Sequence, residues 1–363
     1  MALRFALLGC GVIARKHAEA ITGHVEGAKV VAFCDLDIQK AQSFADKFGA
    51  RAFGSTREMI EKFGASIDVV SVLTPTGFHC KSVIEVAGYG KHVVVEKPMA
   101  IGVADARRML DACRASGVEL FVVKQNRFNR PIQFLHRALE QNRLGDLVMV
   151  TARVRWSRDA TYYARDAWRG TALLDGGVLE NQASHHLDLL QWIGGPVQSV
   201  FCTKSRRIAA IETEDTAIAT LKFQSGALGV IEATTATRPK DLEGSVSVLG
   251  SGGSVEIGGF AANRVLTWQF VEPREEDDDI RTVYASNPEG EPVYAHAQYL
   301  RQVVAKLSGK EAMTVSGEEG LKTVELLEAM QRSHETGMVV GIAGTSSGRA
   351  PPEKAFSELE AVG

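Results

Sequence analysis

Through the first 125 residues, short β-branched apolar runs alternate with stretches whose apolar positions recur every three or four residues. The runs predict strands at Arg4–Leu8, Lys29–Cys34, Ile67–Leu73, His92–Val95 and Leu120–Val123. The stretches between them predict amphipathic helices near 12–22, 37–48, 77–87 and 103–115. Ser55 and Glu58 have the spacing of a capping box, which opens a further short helix. Strands that alternate with helices call for a parallel sheet covered on both faces. Past residue 145 the rhythm changes to strand after strand: Leu147–Trp156, Val197–Thr203, Asp215–Phe223, Ala227–Thr237, Ser245–Leu249, Ser254–Ile257 and Arg264–Phe270. QSG between Phe223 and Ala227 reads as a hairpin turn, so this second sheet is expected to be largely antiparallel. One helix near 183–192 interrupts it, and helices at about 292–308 and 316–335 close the fold. Residues 271–289 read as a polar loop. The Gly-, Ser-, Pro- and Glu-rich tail, 341–363, is expected to be flexible.

This places a nucleotide-binding domain at 1–125 and a substrate and oligomerisation domain at 126–340. Composition narrows the class. A hydrophobic fraction of 45% and a charged fraction of 23% are ordinary for a globular chain of 363 residues. No apolar run is long enough to span a membrane, and no secretory leader is visible. A net charge of −3 argues against a nucleic-acid partner. Five scattered cysteines, none in a CxxC pair, fit a reducing cytoplasm and argue against structural zinc. No metal is expected.

Candidate chemistry sits at the C-terminal ends of the predicted parallel strands, where open α/β sheets bind ligands. GCGVIA, residues 9–14, joins the first strand to a helix as GxGxxA. Gly9 permits the tight turn, and Gly11 lets backbone approach a pyrophosphate. Val12 and Ile13 open the helix, whose N-terminus favours phosphate. Asp35 ends the second strand, where a carboxylate can bind both ribose hydroxyls and repel a 2′-phosphate, so NAD is favoured over NADP. Thr74 and Pro75 end the next strand and should lie near the nicotinamide. His79 follows; it could line the site or simply bond backbone at a helix start. Glu96, Lys97 and Pro98 end the fifth strand, and a partly desolvated Lys97 there could hold or deprotonate a hydroxyl. A surface lysine at a strand end is the plainer alternative. Farther on, Asn181, His185 and Asp188 share one face if the segment is a regular helix.

These motifs together resemble the Gfo/Idh/MocA oxidoreductases, over roughly residues 3–340. The resemblance implies an α/β protein: a Rossmann domain, then a C-terminal α/β domain with a large, open, mostly antiparallel sheet. It implies NAD(P)-dependent oxidation of sugar-like alcohols, with Lys97 and His185 as the catalytic pair and Gln125 near the cofactor. It also implies a homotetramer packed through the C-terminal sheets. The motif's usual aspartate is Asn181 here, which leaves Lys97 and His185 as the evident acid and base. His185 is favoured as base, although the two roles could be reversed.

A basic and aromatic cluster bears on the substrate. Arg153 and Arg155 share a strand face, and Arg158, Tyr162, Tyr163, Arg165, Trp168 and Arg169 follow. Arg127 and Asn129 leave the last Rossmann strand, and Arg238 and Lys240 end another. Arginine forks suit phosphate and carboxylate. On a strand face they equally suit a sheet packed against a neighbouring subunit and paired to acids. The stretches KQNRFNRP, VRWSRDATYYARDAWRGT and IEATTATRPKDLEGSVSVLG resemble one branch of the family, the UDP-N-acetyl-2-amino-2-deoxyglucuronate dehydrogenases of surface-polysaccharide biosynthesis. The branch implies a UDP-sugar uronate oxidised at its C3′ hydroxyl. It implies substrate contacts from Lys97, Arg127, Asn129, Arg155, Tyr163, Trp168, Arg169, Asn181, His185 and Arg238. In some relatives 2-oxoglutarate recycles the cofactor. An inositol or hexose dehydrogenase and a non-catalytic NAD-binding regulator are the alternatives.

Overall fold

The computed structural model describes residues 2–286, 293–313 and 315–342. The tail expected to be flexible lies outside them from residue 343 onward.

Six strands, β1 (Leu3–Leu8), β2 (Ala28–Cys34), β3 (Arg51–Phe53), β4 (Val69–Val72), β5 (His92–Val95) and β6 (Leu120–Val122), form one sheet in the order β3-β2-β1-β4-β5-β6. Every pair in it is parallel. The connecting helices are α1 (Val12–His24), α2 (Ile38–Phe48), α3 (Thr56–Phe63), α4 (His79–Gly88) and α5 (Val103–Ala115). Val69–Val72 is buried at every position, as expected of a strand covered on both faces. Half of the predicted capping box forms: the Ser55 side chain accepts from the Glu58 N–H at the start of α3, while the Glu58 carboxylate accepts from the Gly54 N–H at 3.4 Å rather than from that of Ser55. Strand order reverses direction between β1 and β4, which opens the crevice where such sheets take a ligand.

The second domain begins with a helix that the sequence reading passed over, α6 (Arg130–Glu140), with Pro131 in its first turn. It continues with β7 (Leu147–Arg155), α7 (Ala160–Ala164), a single wide turn at Val178–Gln182 and α8 (Ser184–Gly194). Six strands follow: β8 (Val197–Ser205), β9 (Thr216–Phe223), β10 (Leu228–Thr234), β11 (Glu243–Gly250), β12 (Gly253–Gly258) and β13 (Arg264–Phe270). Helices α9 (Glu276–Val283), α10 (Tyr294–Leu307) and α11 (Gly317–Thr336) precede the short β14 (Val340–Gly341). The sheet order is β13-β12-β11-β7-β10-β9-β8-β14, antiparallel except where β7 meets β10.

The loop expected over 271–289 is corrected by α9. Its first turn holds Glu276, Asp277, Asp278 and Asp279, a charge run that suits the positive end of a helix dipole. Asp277 anchors it, accepting from Arg143 and from the Trp268 indole at 2.7 Å. One face of the large sheet buries Val150, Ala152 and Val154 with Leu187 and Leu190 of α8 in the second core. The opposite face carries the odd-numbered side chains of β7. Helix α10 packs on α1, so Ala297, Tyr299 and Leu300 belong to the first core although they lie late in the chain. Among the described residues no helix is long and apolar enough to cross a membrane.

Candidate active site

Two clefts meet beside the C-terminal edge of the parallel sheet. The first, about 1170 Å³, is lined by Gly9, Gly11, Val12, Ile13, Asp35, Thr74, Pro75, His79, Glu96 and Lys97, together with Trp168, Arg169 and Asn181. The second, about 1380 Å³, is lined by Gln125, Asn129, Arg158, Tyr162, Gln182 and His185 among others. Both include Lys16, Lys97 and Asn181, so these three residues stand where the clefts join.

The glycine turn explains the first cleft's shape. Gly9 has a φ of +99°, and a Cβ there would come within 2.9 Å of the Leu73 carbonyl group. Gly11 caps α1 and faces open space. Asp35 reaches back beneath this turn: one carboxylate oxygen accepts from the Cys10 N–H at 2.7 Å, the other from the Asp37 N–H at 2.9 Å. A dinucleotide fits this cradle, with helix N–H groups for its phosphates and a carboxylate at the end of β2 for its ribose.

His79 resolves to the plainer of its two readings. It is buried, with Nδ1 3.0 Å from the Pro98 carbonyl and Nε2 2.8 Å from the Thr74 carbonyl. The ring therefore ties the end of β4 to the turn after Lys97. Burial pulls its pKa below the usual histidine value, against the Thr74 and Pro98 carbonyls, which pull it up. Glu96 points away from the first cleft's opening, toward α1. One oxygen pairs with His17 Nε2 at 3.0 Å and the other accepts from the Lys97 N–H at 3.1 Å. Burial alone would raise its pKa, but His17 holds it at about 2. His17, Glu96 and His296 do gather ligand-type atoms within 4.8 Å. Both Glu96 oxygens are already engaged, so we read the group as the support of the Lys97 turn.

Lys97 Nζ donates to the Asn181 backbone carbonyl at 2.7 Å. Burial lowers its pKa, against the opposing pull of Glu96 and Asp175. His185 meets Gln125 at 2.9 Å through Nε2. An amide nitrogen can only donate, which makes Nε2 the lone-pair nitrogen of the imidazole. Burial, then the nearby Lys97 and Lys124 charges, push the His185 pKa well below 6.5. A neutral imidazole and an amine thus border one cleft, a pairing able to take a proton and steady an alkoxide.

The regular-helix expectation for Asn181, His185 and Asp188 needs correction. Val178–Gln182 is a wide turn, with Ala183 N–H bonded to the Val178 carbonyl at 2.8 Å, and α8 starts only at Ser184. Such turns recur at functional sites. Asp188 lies beneath the site, 2% exposed, gripped by Arg127 at 2.7 and 2.8 Å and by Lys124 at 3.2 Å. Arg127, expected to touch substrate, is this buried strut instead.

Other substrate expectations divide. Asn129 lines the second cleft and donates to the Ala261 carbonyl at 2.7 Å. Trp168 and Arg169 line the first cleft rather than the second, while Gln125, expected near the cofactor, lines the second. Arg155 sits on the opposite face of the sheet, bridging Glu232 at 2.7 Å and Glu243 at 3.1 Å, so the acid-paired sheet-face alternative describes it. Tyr163 turns to the Thr235 hydroxyl at 3.2 Å, and Tyr162 takes the lining position. Arg238 donates to the carbonyls of Thr235, Thr237 and Arg158, leaving Lys240 on the cleft wall. Lys16, Arg130 and Tyr294 also line the second cleft. Sequence reasoning did not single them out. Lys16 sits one turn beyond the glycine motif, the one signal that could have flagged it.

Comparison with known proteins agrees with this geometry. Residues 3–124 match the family profile described as an oxidoreductase NAD-binding Rossmann fold, and residues 136–342 match its C-terminal alpha/beta domain. The WlbA dehydrogenase of Bordetella pertussis, solved with NADH and UDP-GlcNAcA, is 40% identical, with a TM-score of 0.86, over 94% of this chain and 99% of that one. Its counterpart from Chromobacterium violaceum, solved with the same two molecules, is 39% identical, with a TM-score of 0.87, over 94% and 96%. The D-apiose dehydrogenase of Paraburkholderia graminis is 28% identical over 92% of this chain and 88% of its own length.

Proposed function

Since the chain belongs to the Gfo/Idh/MocA oxidoreductase family and is an NAD-dependent sugar or polyol dehydrogenase, we propose that it oxidises the C3′ hydroxyl of UDP-N-acetylglucosaminuronic acid to the 3-keto sugar, a step of surface-polysaccharide biosynthesis. The observation that carries this reading is the second cleft. It is large, and Lys16, Arg165 and Lys240 line it along with Arg158, which is also paired with Asp241 at 3.0 Å. A ligand with two phosphates and a carboxylate would answer that charge. A simple inositol or hexose carries no anionic group to meet these cations. The likeness to two dehydrogenases solved with UDP-GlcNAcA supports the same choice.

When bound, NAD supplies the hydride acceptor. The chain's own residues handle the proton. His185, neutral and with Nε2 as its lone-pair nitrogen, takes the hydroxyl proton once the substrate displaces the Gln125 amide. Lys97, fixed by the Asn181 carbonyl, donates to the same oxygen and stabilises its developing charge. His79 and Glu96 hold the turn that aims Lys97. The product is a ketone, one hydride and one proton having left the carbinol.

Two further parts belong to this proposal. The open sheet face, with its Arg153, Arg155, Glu232 and Glu243 lattice and exposed Phe201, Ile218 and Leu228, suits burial against a second copy in a homotetramer. A 2-oxoglutarate molecule in the emptied second cleft would reoxidise bound NADH. The test is NADH formation with a panel of UDP-sugars, myo-inositol and hexoses. Turnover of the UDP-uronate supports the reading, whereas turnover of polyols alone overturns it. NAD binding without turnover of any alcohol would mean a regulator.

A further inference from the structure

Asn181 stands where the family motif usually carries an aspartate, so the amine of Lys97 lacks the carboxylate expected there. The structure supplies one from another position. Asp175 is 3% exposed and both its oxygens are engaged. One accepts from the Asn181 side-chain amide, and the other accepts from the Gly170 N–H at 2.6 Å. Asn181 in turn receives Lys97 Nζ on its backbone carbonyl at 2.7 Å and the Gln182 amide on its Oδ1 at 2.8 Å. Gly170 directly follows Trp168 and Arg169, which close over the first cleft.

We infer that Asp175 is a positioning residue for the reaction: its carboxylate fixes Asn181, and through it Lys97, while clamping the 168–170 segment over the cofactor. The inference rests on the dehydrogenase reading above. Three features carry it. The carboxylate is buried, so its attraction for a neighbouring cation is little screened. Its two bonds run to two separate parts of the site, so its loss loosens both. The Asn181 side chain that Asp175 holds belongs to the same residue whose carbonyl receives Lys97 Nζ, so the carboxylate acts on the lysine's own partner.

The charged and titratable groups facing Asp175 are Lys97 at the end of β5, Arg169 on the 168–170 segment, Glu180 on the wide turn and Tyr163 within α7. Burial pushes the Asp175 carboxyl up to about 6, against the pull of Gly170, Lys97 and Arg169. It is ionised at neutral pH and loses its charge as pH falls through that value. The active form is therefore the one above it.

The test compares wild type, Asp175→Asn, Asn181→Ala and the exchange Asp175→Asn with Asn181→Asp. Asp175→Asn should lower kcat by about 10- to 100-fold, the usual cost of a catalytic group misplaced by about an ångström, with little change in KM for the UDP-uronate. The acid limb of the wild-type kcat profile near pH 6 should vanish. The exchange, which returns one carboxylate and one amide to the pair, should recover most of the lost kcat. Asn181→Ala leaves the Gly170 clamp intact and should show part of that loss of kcat, which guards against a folding failure of the first variant. Acetylation of Lys97, read by peptide mass spectrometry on the free protein, should be faster in Asp175→Asn at a fixed pH, because removing a nearby anion lowers the amine's pKa. Unchanged kcat, pH profile and acetylation rate in Asp175→Asn overturn the inference, as does an exchange variant that folds yet gains nothing over the single one. A wild type that oxidises no alcohol overturns the functional reading instead. The acetylation comparison then still decides the role of Asp175.

Discussion

Asp188→Asn offers a direct test of how buried ion pairs hold α8, the helix that carries His185. Asp188 pairs with Lys124 at 3.2 Å and shares Arg127 with Glu319, which lies 3.5 Å from the guanidinium. Both cations are buried, with side-chain exposures of 3% and 9%. An amide at 188 would leave them largely uncompensated. Breaking a buried pair in this way costs about 3–5 kcal/mol, and each kcal/mol lowers Tm by roughly 2–4 °C in a chain of this order of size. A drop of roughly 6–20 °C by calorimetry or near-ultraviolet circular dichroism is expected. Burial alone would raise the Asp188 pKa, but Arg127 and Lys124 hold it below the ordinary carboxylate value. Its folded pKa is thus depressed, so the stabilisation is fully present above about 3.9 and is lost only as pH falls from there through the native value. The gap between wild type and variant should stay constant from alkaline to mildly acidic pH and close on strong acidification. Replacing the whole cluster together, Lys124→Met, Arg127→Met and Asp188→Leu, should recover most of the loss, since apolar substitutes remove the buried charges as well as their bonds. This triple variant also separates a strut from a ligand. With Arg127 a strut, KM for the UDP-uronate stays within about threefold, roughly 0.6 kcal/mol. A Tm drop under about 2 °C for Asp188→Asn, or a large rise in KM for the triple variant, would refute the reasoning.

Lys97→Ala and His185→Asn should each lower kcat on the order of 10²- to 10⁴-fold while NAD still quenches protein fluorescence; wild-type rates in both would end the catalytic assignment. Asp35→Ser removes the carboxylate that accepts from the Cys10 N–H at 2.7 Å. It should shift kcat/KM toward NADP, and an unchanged ratio would place the ribose elsewhere. Gly77→Ala would put a Cβ 2.2 Å from the Leu173 carbonyl oxygen, so the 166–175 segment must move off the first cleft. KM for NAD should rise, and an unaltered KM would mean that this segment does not cover the cofactor.

The parallel domain was legible because its longer strands are apolar runs and its longer helices keep their period. His92–Val95 and the helix over 103–115 were read to the residue. Arg51–Phe53 was not, because three residues carry no period. Helix α6 was missed although Ile132, Leu135 and Ala138 are buried at helical spacing. Pro131, which invites a loop reading, belongs in a first helical turn. Helix α9 was taken for a loop because its acidic run looks like solvated coil. Its stability comes from Arg143 and Trp268, distant in sequence, which no local pattern announces.

At the site, legibility followed the backbone. Gly9, Gly11, Asp35, Thr74 and Lys97 all sit at C-terminal ends of parallel strands, and that position alone directs them to one crevice. Asp175 escaped notice because it lies in an irregular stretch where no periodicity assigns a direction; only its bonds to Gly170 and Asn181 reveal it. Arg155 shows a different limit. Alternation along β7 sorts its residues onto two faces, yet it is silent on which face turns toward the clefts. Val150, Ala152 and Val154 are buried beneath α8, and Trp156, next in that series, lines the second cleft. The arginines between them must therefore face the other way, where Glu232 and Glu243 meet them. The cations on the cleft side come from segments that are not strands: Arg130 from the start of α6, Arg158 and Arg165 from around α7, and Lys240 from the stretch before β11. An arginine-rich strand argues for a bound anion only after its neighbours have settled which side it presents.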